Sequence, residues 1–231
     1  MPCVYTRIKG NVRLIIAVYV DDILVLSNNE EEKCNLKKEL MSCFDTKDLG
    51  KAKSILGIKI RREKGKIYLD QKSYIEKILS KYNMSDCKPV STPFAVGTKL
   101  NRGQGCDDLP YQQLIGSLNF LAVCTRPDIT YTVNYLSRFN NCHEEEHSIA
   151  AKRVLRYLKG TINVCLKYQK SDSNIKGYAD VDFAGDEDDR KSCTGFTFLM
   201  GDGAITWESK KQTLVAMSTS ESEYIALSEA W

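Results

Sequence analysis

The stretch VRLIIAVYVDDILVL, residues 12–26, joins two apolar runs that are rich in β-branched and aromatic residues. The runs, 12–20 and 23–26, flank Asp21 and Asp22, and this pattern predicts a tight β-hairpin. Adjacent carboxylates at an apolar tip repel each other, and bound divalent cations offset that repulsion well. Two hypotheses therefore stand: a Mg²⁺-binding tip, and a solvated turn of the kind that Asp favours.

Capping patterns predict two helices downstream of this hairpin. Asn29 and Glu32 form a capping-box pattern before an amphipathic segment, and Ser73 and Glu76 form a second one. Between the two helices, the apolar residues of 55–69 and a Lys-Gly turn predict a strand and then a second hairpin.

The middle of the chain predicts an irregular connection followed by helices. Residues 86–110 are rich in Pro, Gly, Asp and Ser, and a connection of this length favours a boundary between subdomains. Helices are predicted at 111–124, 128–140 and 144–159.

The third of these helices has an apolar face and a basic face. The basic face comprises Lys152, Arg153, Arg156 and Lys159. Lys and Arg commonly fill solvated helix faces, so an ordinary exposed surface is one interpretation. The other is a stripe that follows the phosphate backbone of a nucleic acid.

The last third of the chain predicts an α+β unit. GYADVDFAG (177–185), GFTFLM (195–200) and GAITWES (203–209) are strand-like runs separated by turn residues. Thr219 or Ser220 is expected to cap a helix after them, which gives a β-β-β-α order.

Composition excludes several classes of protein. The net charge of +3 is mild, no apolar run reaches 18 residues, and the first residues lack the apolar region of a signal peptide. None of the nine cysteines lies in a C-x-x-C pair, so reduced thiols are expected rather than a zinc knuckle or a disulfide framework. Cys142, His143 and His147 lack a fourth metal ligand at useful spacing.

Blocks along nearly the whole chain resemble copia-type LTR retrotransposon Pol polyproteins, in the order of that family. YVDD (19–22) looks like the reverse transcriptase active-site box, and DLGKAKSILGIKI (48–60) resembles the primer-grip region. The similarity continues through the blocks DQKSYIEKILSKYNMSDCKPVSTP, YQQLIGSLNFLAVCTRPDITYTVNYLSRF and AAKRVLRYLKGT. GYADVDFAGDEDDRKSCTGF, ITWESKKQ and STSESEYIAL look like the start of the RNase H domain.

The resemblance implies an α+β fold in three parts. Residues 1–85 would be the end of the palm with the first thumb helix, and 86–172 a linker with a helical thumb or connection-like region. Residues 173–231 would be the N-terminal part of an RNase H-like domain. The implied activities are RNA-directed DNA synthesis and RNase H cleavage, with Mg²⁺ or Mn²⁺ as cofactor. The implied partners are an RNA template, a DNA primer, an RNA–DNA hybrid and the rest of the polyprotein. No membrane is expected, and the location is cytoplasmic, in a virus-like particle, or nuclear.

Site residues follow from the positions that match the family motifs. Asp21 and Asp22 correspond to the two aspartates of the polymerase box, with Asp21 the surer metal ligand. Asp180 corresponds to the first RNase H carboxylate, and Asp182 shares its strand face. Glu223 corresponds to the second carboxylate, with Glu221 as the competing assignment.

The chain departs from the family pattern at some positions. Phe183 and Ser148 stand where the family usually has Trp. The upstream palm aspartate and the last two RNase H carboxylates are expected outside residues 1–231, so this chain alone is expected to be inactive. Three hypotheses remain: an enzyme-derived fragment, a nucleic-acid-binding remnant without catalysis, and a relic that does not fold stably.

Overall fold

The computed structural model describes residues 3–103, 109–171, 174–186 and 188–231. The predicted boundary between 172 and 173 lies outside them, as does part of the predicted connection, 104–108. The chain divides into two compact units, Met1–Leu56 and Gly57–Trp231. The described residues form three antiparallel sheets and six α-helices, which confirms the α+β class.

The first unit is a three-stranded antiparallel sheet followed by a helix. Its elements are β1 (Val4–Lys9), β2 (Val12–Tyr19), β3 (Asp22–Ser27), α1 (Glu30–Cys43) and the two-residue β4 (Ser54–Ile55). The strands pair in the order β1-β2-β3, so β2 and β3 form the predicted hairpin. Asn29 caps α1, since its side chain accepts a hydrogen bond from Glu32 N at 3.1 Å.

The second unit begins with a sheet and a helical layer. Its strands are β5 (Ile58–Glu63), β6 (Lys66–Asp70) and β7 (Leu166–Gln169), paired in that order. The helices are α2 (Lys72–Lys81), α3 (Tyr111–Cys124), α4 (Thr130–Ser137) and α5 (Glu145–Gly160). A 3-10 turn, Pro127–Ile129, precedes α4. The main apolar core lies among these helices, where Leu114, Leu118, Leu136, Val154 and Leu155 are fully buried.

The predicted capping box of α2 is wrong. The helix begins after Gln71, two residues earlier than a cap at Ser73 would place it, and the side chain of Gln71 does not cap it. Gln71 is buried, and its Oε1 accepts a hydrogen bond from Thr125 Oγ1 at 2.7 Å, so tertiary contacts take the side chain away from the helix end. Asp70 Oδ1 instead accepts from Lys72 N at 3.3 Å.

Two other predicted elements have different bounds. The strand expected through residues 55–60 is interrupted because Leu56 and Gly57 both have positive φ, 50° and 76°. The helix expected at 128–140 starts as the 3-10 turn and its α-helical part ends at Ser137.

The last part of the second unit is the predicted meander and helix. Strands β8 (Lys176–Asp182), β9 (Cys193–Met200) and β10 (Gly203–Lys211) are antiparallel in the order β10-β9-β8. Helix α6 (Thr219–Ala230) follows them, and its cap is Ser218, one residue before the predicted Thr219 or Ser220. Gln212 Nε2 donates to both Thr194 Oγ1 and Ser222 O at 3.0 Å, which fixes α6 on the Thr194 face of the meander.

No helix among the described residues combines the length and the apolar character that crossing a membrane would require.

Candidate functional site

The tip of the β2–β3 hairpin is a two-residue loop under backbone strain. Tyr19 and Asp22 form the last register pair, so Val20 and Asp21 make the loop. Val20 has a φ of 51°, in the left-handed region that β-branched residues rarely adopt. Its side chain is 82% exposed, so no packing contact holds it there. The ladder on both sides imposes the conformation, and strain of this kind concentrates at functional sites.

The opposite end of the hairpin is anchored by side chains. Asn28 Oδ1 accepts from Arg13 N at 2.8 Å, while Asn28 Nδ2 donates to Asn11 O at 2.7 Å. Arg7 of β1 forms an ion pair of 2.6 Å with Glu32 of α1. These contacts connect the three strands with each other and with the helix. The tip therefore projects from a sheet whose other end is held by side-chain contacts.

Asp21 and Asp22 are both exposed, side by side in sequence at this tip. Carboxylate oxygens are the ligands that Mg²⁺ prefers, and Mg²⁺ commonly uses only one or two of them. Among the residues that the structure describes, no group of three or more His, Cys, Asp or Glu side chains is placed to hold a metal ion. Two exposed carboxylates at the tip are donors of the type that Mg²⁺ uses, and the binding of a metal there stays a prediction.

Asp180 lies on β8, exposed, and pairs in register with Gly195 of β9. Its side chain therefore shares a face with those of Asp182 and Cys193, opposite the Thr194 face that α6 covers. The register alone does not bring the Asp180 carboxylate to α6. The pairing of Asp180 with Glu223 stays a prediction.

The two candidate glutamates of α6 have different surroundings. Glu221 N donates to the cap residue Ser218 at 3.2 Å, and Glu221 Oε2 accepts from Met217 N at 2.7 Å. The Glu221 carboxylate is thus engaged at the helix N-terminus. Glu223 is exposed, two residues further on. The assignment of Glu223 rather than Glu221 as a metal-binding residue stays a prediction.

The basic face of α5 binds the connecting segment. Arg153 Nη2 donates to Thr92 Oγ1 at 2.9 Å, and Arg156 Nε donates to the carbonyl of Lys88 at 2.8 Å. Lys159 donates to the carbonyl of Ser85. Lys152 is exposed. Three of the four residues predicted to contact nucleic acid therefore hold the connecting segment, and binding of nucleic acid by this face stays a prediction.

A second surface with basic residues, on the sheet of β5, β6 and β7, was not predicted from the sequence. Arg61, Tyr68 and Lys167 are neighbours across β5, β6 and β7, so they share one face of the sheet. Lys59 and Lys66 lie on the same face by alternation, and so do Glu63 and Asp70, which form ion pairs with Arg61 at 3.6 Å and 3.2 Å. The Arg61 guanidinium lies 5.2 Å from the centre of the Tyr68 ring. Basic residues interleaved with an aromatic ring are typical of nucleic-acid-binding surfaces, and the Lys and Arg residues of 59–66 were the available signal.

The histidines considered as metal ligands serve packing and capping. His143 stacks on Tyr111 with ring centres 4.5 Å apart. His147 Nδ1 accepts a hydrogen bond from Glu144 N at 3.0 Å, and burial lowers the pKa of His147.

Comparison with known proteins matches the chain to one family. The profile of the family "Reverse transcriptase (RNA-dependent DNA polymerase)" matches residues 2–96. The chain is 45% identical over 240 residues to the retrovirus-related Pol polyprotein from transposon TNT 1-94 of Nicotiana tabacum. It is 40% identical over 220 residues to that from transposon RE1 of Arabidopsis thaliana.

The extent of these matches differs between relatives. The alignments cover 99% and 94% of this chain but only 18% and 15% of the two polyproteins. An uncharacterized mitochondrial protein of Arabidopsis thaliana is 37% identical over 223 residues, which is 93% of this chain and 90% of that protein.

Proposed function

Since the chain belongs to the copia-type retrotransposon Pol polyproteins and contains part of their reverse transcriptase region, we propose that it supplies the metal-binding hairpin of an RNA-directed DNA polymerase. The observation that carries the proposal is the strained tip with Asp21 and Asp22, which lies inside the matched residues 2–96. The activity belongs to the whole polyprotein, of which this chain spans less than a fifth in its relatives.

Asp21 and Asp22 would hold Mg²⁺ or Mn²⁺, since both offer exposed carboxylate oxygens. When bound, such ions stabilise the attacking 3′-oxygen and the leaving phosphate in phosphoryl transfer. The chain's own contribution is to hold both aspartates at the tip of a hairpin, whose paired strands limit the reorganisation that metal binding requires.

The template–primer would lie against basic surfaces of the second unit. The face with Lys59, Arg61, Lys66, Tyr68 and Lys167 offers charge and an aromatic ring, and the α5 face adds the exposed Lys152. Contacts of this type grip the backbone of an RNA–DNA hybrid without reading its sequence.

Residues 173–231 would contribute part of an RNase H site, with Asp180 and Glu223 as metal-binding carboxylates. The element order, with the meander of β8, β9 and β10 followed by α6, supports this proposal, as does the capping role of Glu221. The register of β8 places Asp180 on the face opposite α6, so a metal shared with Glu223 would require the two carboxylates to meet at the edge of the sheet. Palm residues 1–85 and thumb or connection-like residues 86–172 complete the proposed organisation. The proposed location is cytoplasmic, in a particle, or nuclear.

A nucleic-acid-binding remnant without catalysis is the second candidate. The Arabidopsis thaliana mitochondrial relative has nearly the same extent as this chain, which shows that such a segment occurs as a separate protein. In this case the chain would bind hybrid but gain nothing from Mg²⁺ through Asp21 and Asp22.

Equilibrium binding of an RNA template–DNA primer duplex to the 231-residue chain separates the two candidates. At constant ionic strength, Mg²⁺ should strengthen binding by the wild type, because the ion offsets repulsion between the carboxylates and the duplex phosphates. The double variant Asp21→Asn, Asp22→Asn should lose that Mg²⁺ dependence, whereas Asp45→Asn, an exposed aspartate of the same unit, should keep it. Equal Mg²⁺ dependence in all three proteins would refute the polymerase-hairpin proposal.

The salt dependence of the same binding identifies the surface used. Replacing Lys59, Lys66 and Lys167 by Gln should lower the slope of log affinity against log salt by about one for each lost phosphate contact. The matched control replaces Lys77, Lys81 and Lys88, which are exposed elsewhere in the unit. Equal slopes for the two triple variants would rule out the β5–β7 surface.

A further inference from the structure

A cavity of about 320 Å³ in the second unit lies between residues 94–101, helix α4 and the loop that follows β8. Its aromatic lining consists of Phe94, Tyr131, Tyr135 and Phe139. Its acidic lining consists of Asp182, Asp186 and Asp188, and Lys99 carries a positive charge there. We call it the aromatic–acidic cavity.

The rings form a connected wall. Tyr131 and Tyr135 are stacked with centres 6.2 Å apart, and Phe94 meets Tyr135 edge-on at 5.4 Å. Leu100 N donates a hydrogen bond to the Tyr135 hydroxyl at 3.3 Å, which holds the 94–101 segment beside α4. The ring faces carry negative quadrupole charge, so the wall attracts cations.

The three carboxylates have different partners. Asp186 binds Arg138 at 2.9 Å and Lys211 at 2.6 Å, and the ion pair between Asp188 and Arg102 is 3.4 Å long.

Asp182 instead accepts a hydrogen bond from the Tyr131 hydroxyl at 3.5 Å, and it has no ion pair within the described ranges. Its carboxylate lies against Gly185, where an added Cβ would come within 2.2 Å of Oδ2. Asp182 is thus the lining carboxylate that no basic side chain of the described chain neutralises.

One cation of the chain is already bound by an aromatic ring of this wall together with a carboxylate. The guanidinium of Arg138 lies 5.1 Å from the centre of the Tyr135 ring and donates to the Asp186 carboxylate. Tyr131 and Asp182 are a second pairing of a ring with a carboxylate among the lining residues. One ring–carboxylate pair therefore binds a cation of the chain itself, and the other pair lines the cavity, where it can bind a cation from solution.

We propose that the aromatic–acidic cavity binds a small organic cation whose guanidinium or ammonium head lies between the Asp182 carboxylate and the rings of Tyr131 and Phe94. This proposal does not rest on the proposed polymerase hairpin, although Asp182 shares a strand face with Asp180, the proposed RNase H carboxylate. The Asp182 carboxylate, which no basic side chain of the described residues neutralises, disfavours a phosphate group, so a nucleotide is a poor occupant despite the stacking surface. The cavity volume suits a ligand about as large as one amino-acid derivative.

The test uses the 231-residue chain and two nearly isosteric probes. N-acetyl-arginine amide carries a guanidinium, and N-acetyl-citrulline amide replaces it by a neutral urea group. Affinities are obtained by following ¹H–¹⁵N chemical shifts during titration. The arginine probe should bind at least about tenfold more tightly, because both the ion pair and the cation–π contact need its charge. Equal affinities for the two probes would overturn the proposal, as would tighter binding of adenosine monophosphate.

Variants assign the binding to the cavity. Asp182→Asn should weaken the arginine probe about tenfold, while Asp86→Asn, with the same change of net charge at an exposed position, should not change the affinity. Gly185→Ala keeps every charge but displaces the Asp182 carboxylate, so it should weaken binding as well. A thermal melt of each variant checks folding. Undiminished binding in folded Asp182→Asn and Gly185→Ala proteins would overturn the assignment.

Discussion

The strain at Val20 can be measured by replacing this residue with glycine. A non-glycine residue in the left-handed region costs about 1–2 kcal/mol, whereas glycine adopts that region freely. Because the Val20 side chain is 82% exposed, its removal loses little apolar burial. Glycine adds roughly 0.5–1 kcal/mol of entropy cost to folding. We therefore expect Val20→Gly to raise the free energy of unfolding by about 0.5–1 kcal/mol.

The matched control is Val4→Gly. Val4 is an exposed strand residue of the same sheet, 56% accessible, and its φ is not positive. Its replacement should lower the free energy of unfolding by about 1 kcal/mol, since glycine in a strand loses entropy and side-chain packing. Hydrogen exchange of the β2 and β3 amides reports the stability of this unit specifically. If Val20→Gly destabilised these amides as much as Val4→Gly, the tip would not be strained and the reasoning would fail.

The remaining predictions concern the second unit. Arg126→Met should lower the free energy of unfolding, measured in urea, by about 3 kcal/mol. Arg126 is 1% exposed, and its replacement removes the cation that lies 2.7 Å from the Asp128 carboxylate. Burial alone raises the pKa of Asp128, but the hydrogen bonds and charge of Arg126 hold it below its usual value. This stability is therefore present above about pH 4 and lost as pH falls further, and Arg126→Met should flatten that acid dependence. Glu221→Ala should cost about 1 kcal/mol in a melt through the lost cap, and Glu223→Ala should cost almost nothing. A larger loss in Glu223→Ala would contradict the separation of roles.

The elements that local sequence determines were the ones predicted well. The apolar runs of 12–26 and the Lys64-Gly65 turn specify hairpins because β-branched runs and left-handed turn residues act within a few positions. The β1 strand was not predicted, although the apolar residues of 4–8 and the Gly-Asn turn after them carried the signal. The start of α2 was wrong because a buried contact of Gln71 overrode the local capping pattern.

Only the site residues that belong to local sequence motifs could be predicted. The two aspartates at the tip follow from their flanking strands, but the conformation of Val20 between them does not. The roles of Arg153 and Arg156 depend on segment 85–92 folding back on α5, which no local pattern encodes. The aromatic–acidic cavity unites residues more than 80 positions apart in the chain, from Phe94 to Asp182, so tertiary structure alone reveals it.

Paramagnetic relaxation by Mn²⁺ tests the central claim most directly. In ¹H–¹⁵N spectra of the 231-residue chain, substoichiometric Mn²⁺ should broaden the amides of the β2–β3 tip before those of other described residues. The Asp21→Asn, Asp22→Asn protein should lose this broadening, and the Asp45→Asn protein should retain it. Broadening that spares the tip, or that persists there in the double variant, would contradict the assignment of the hairpin as a metal-binding element.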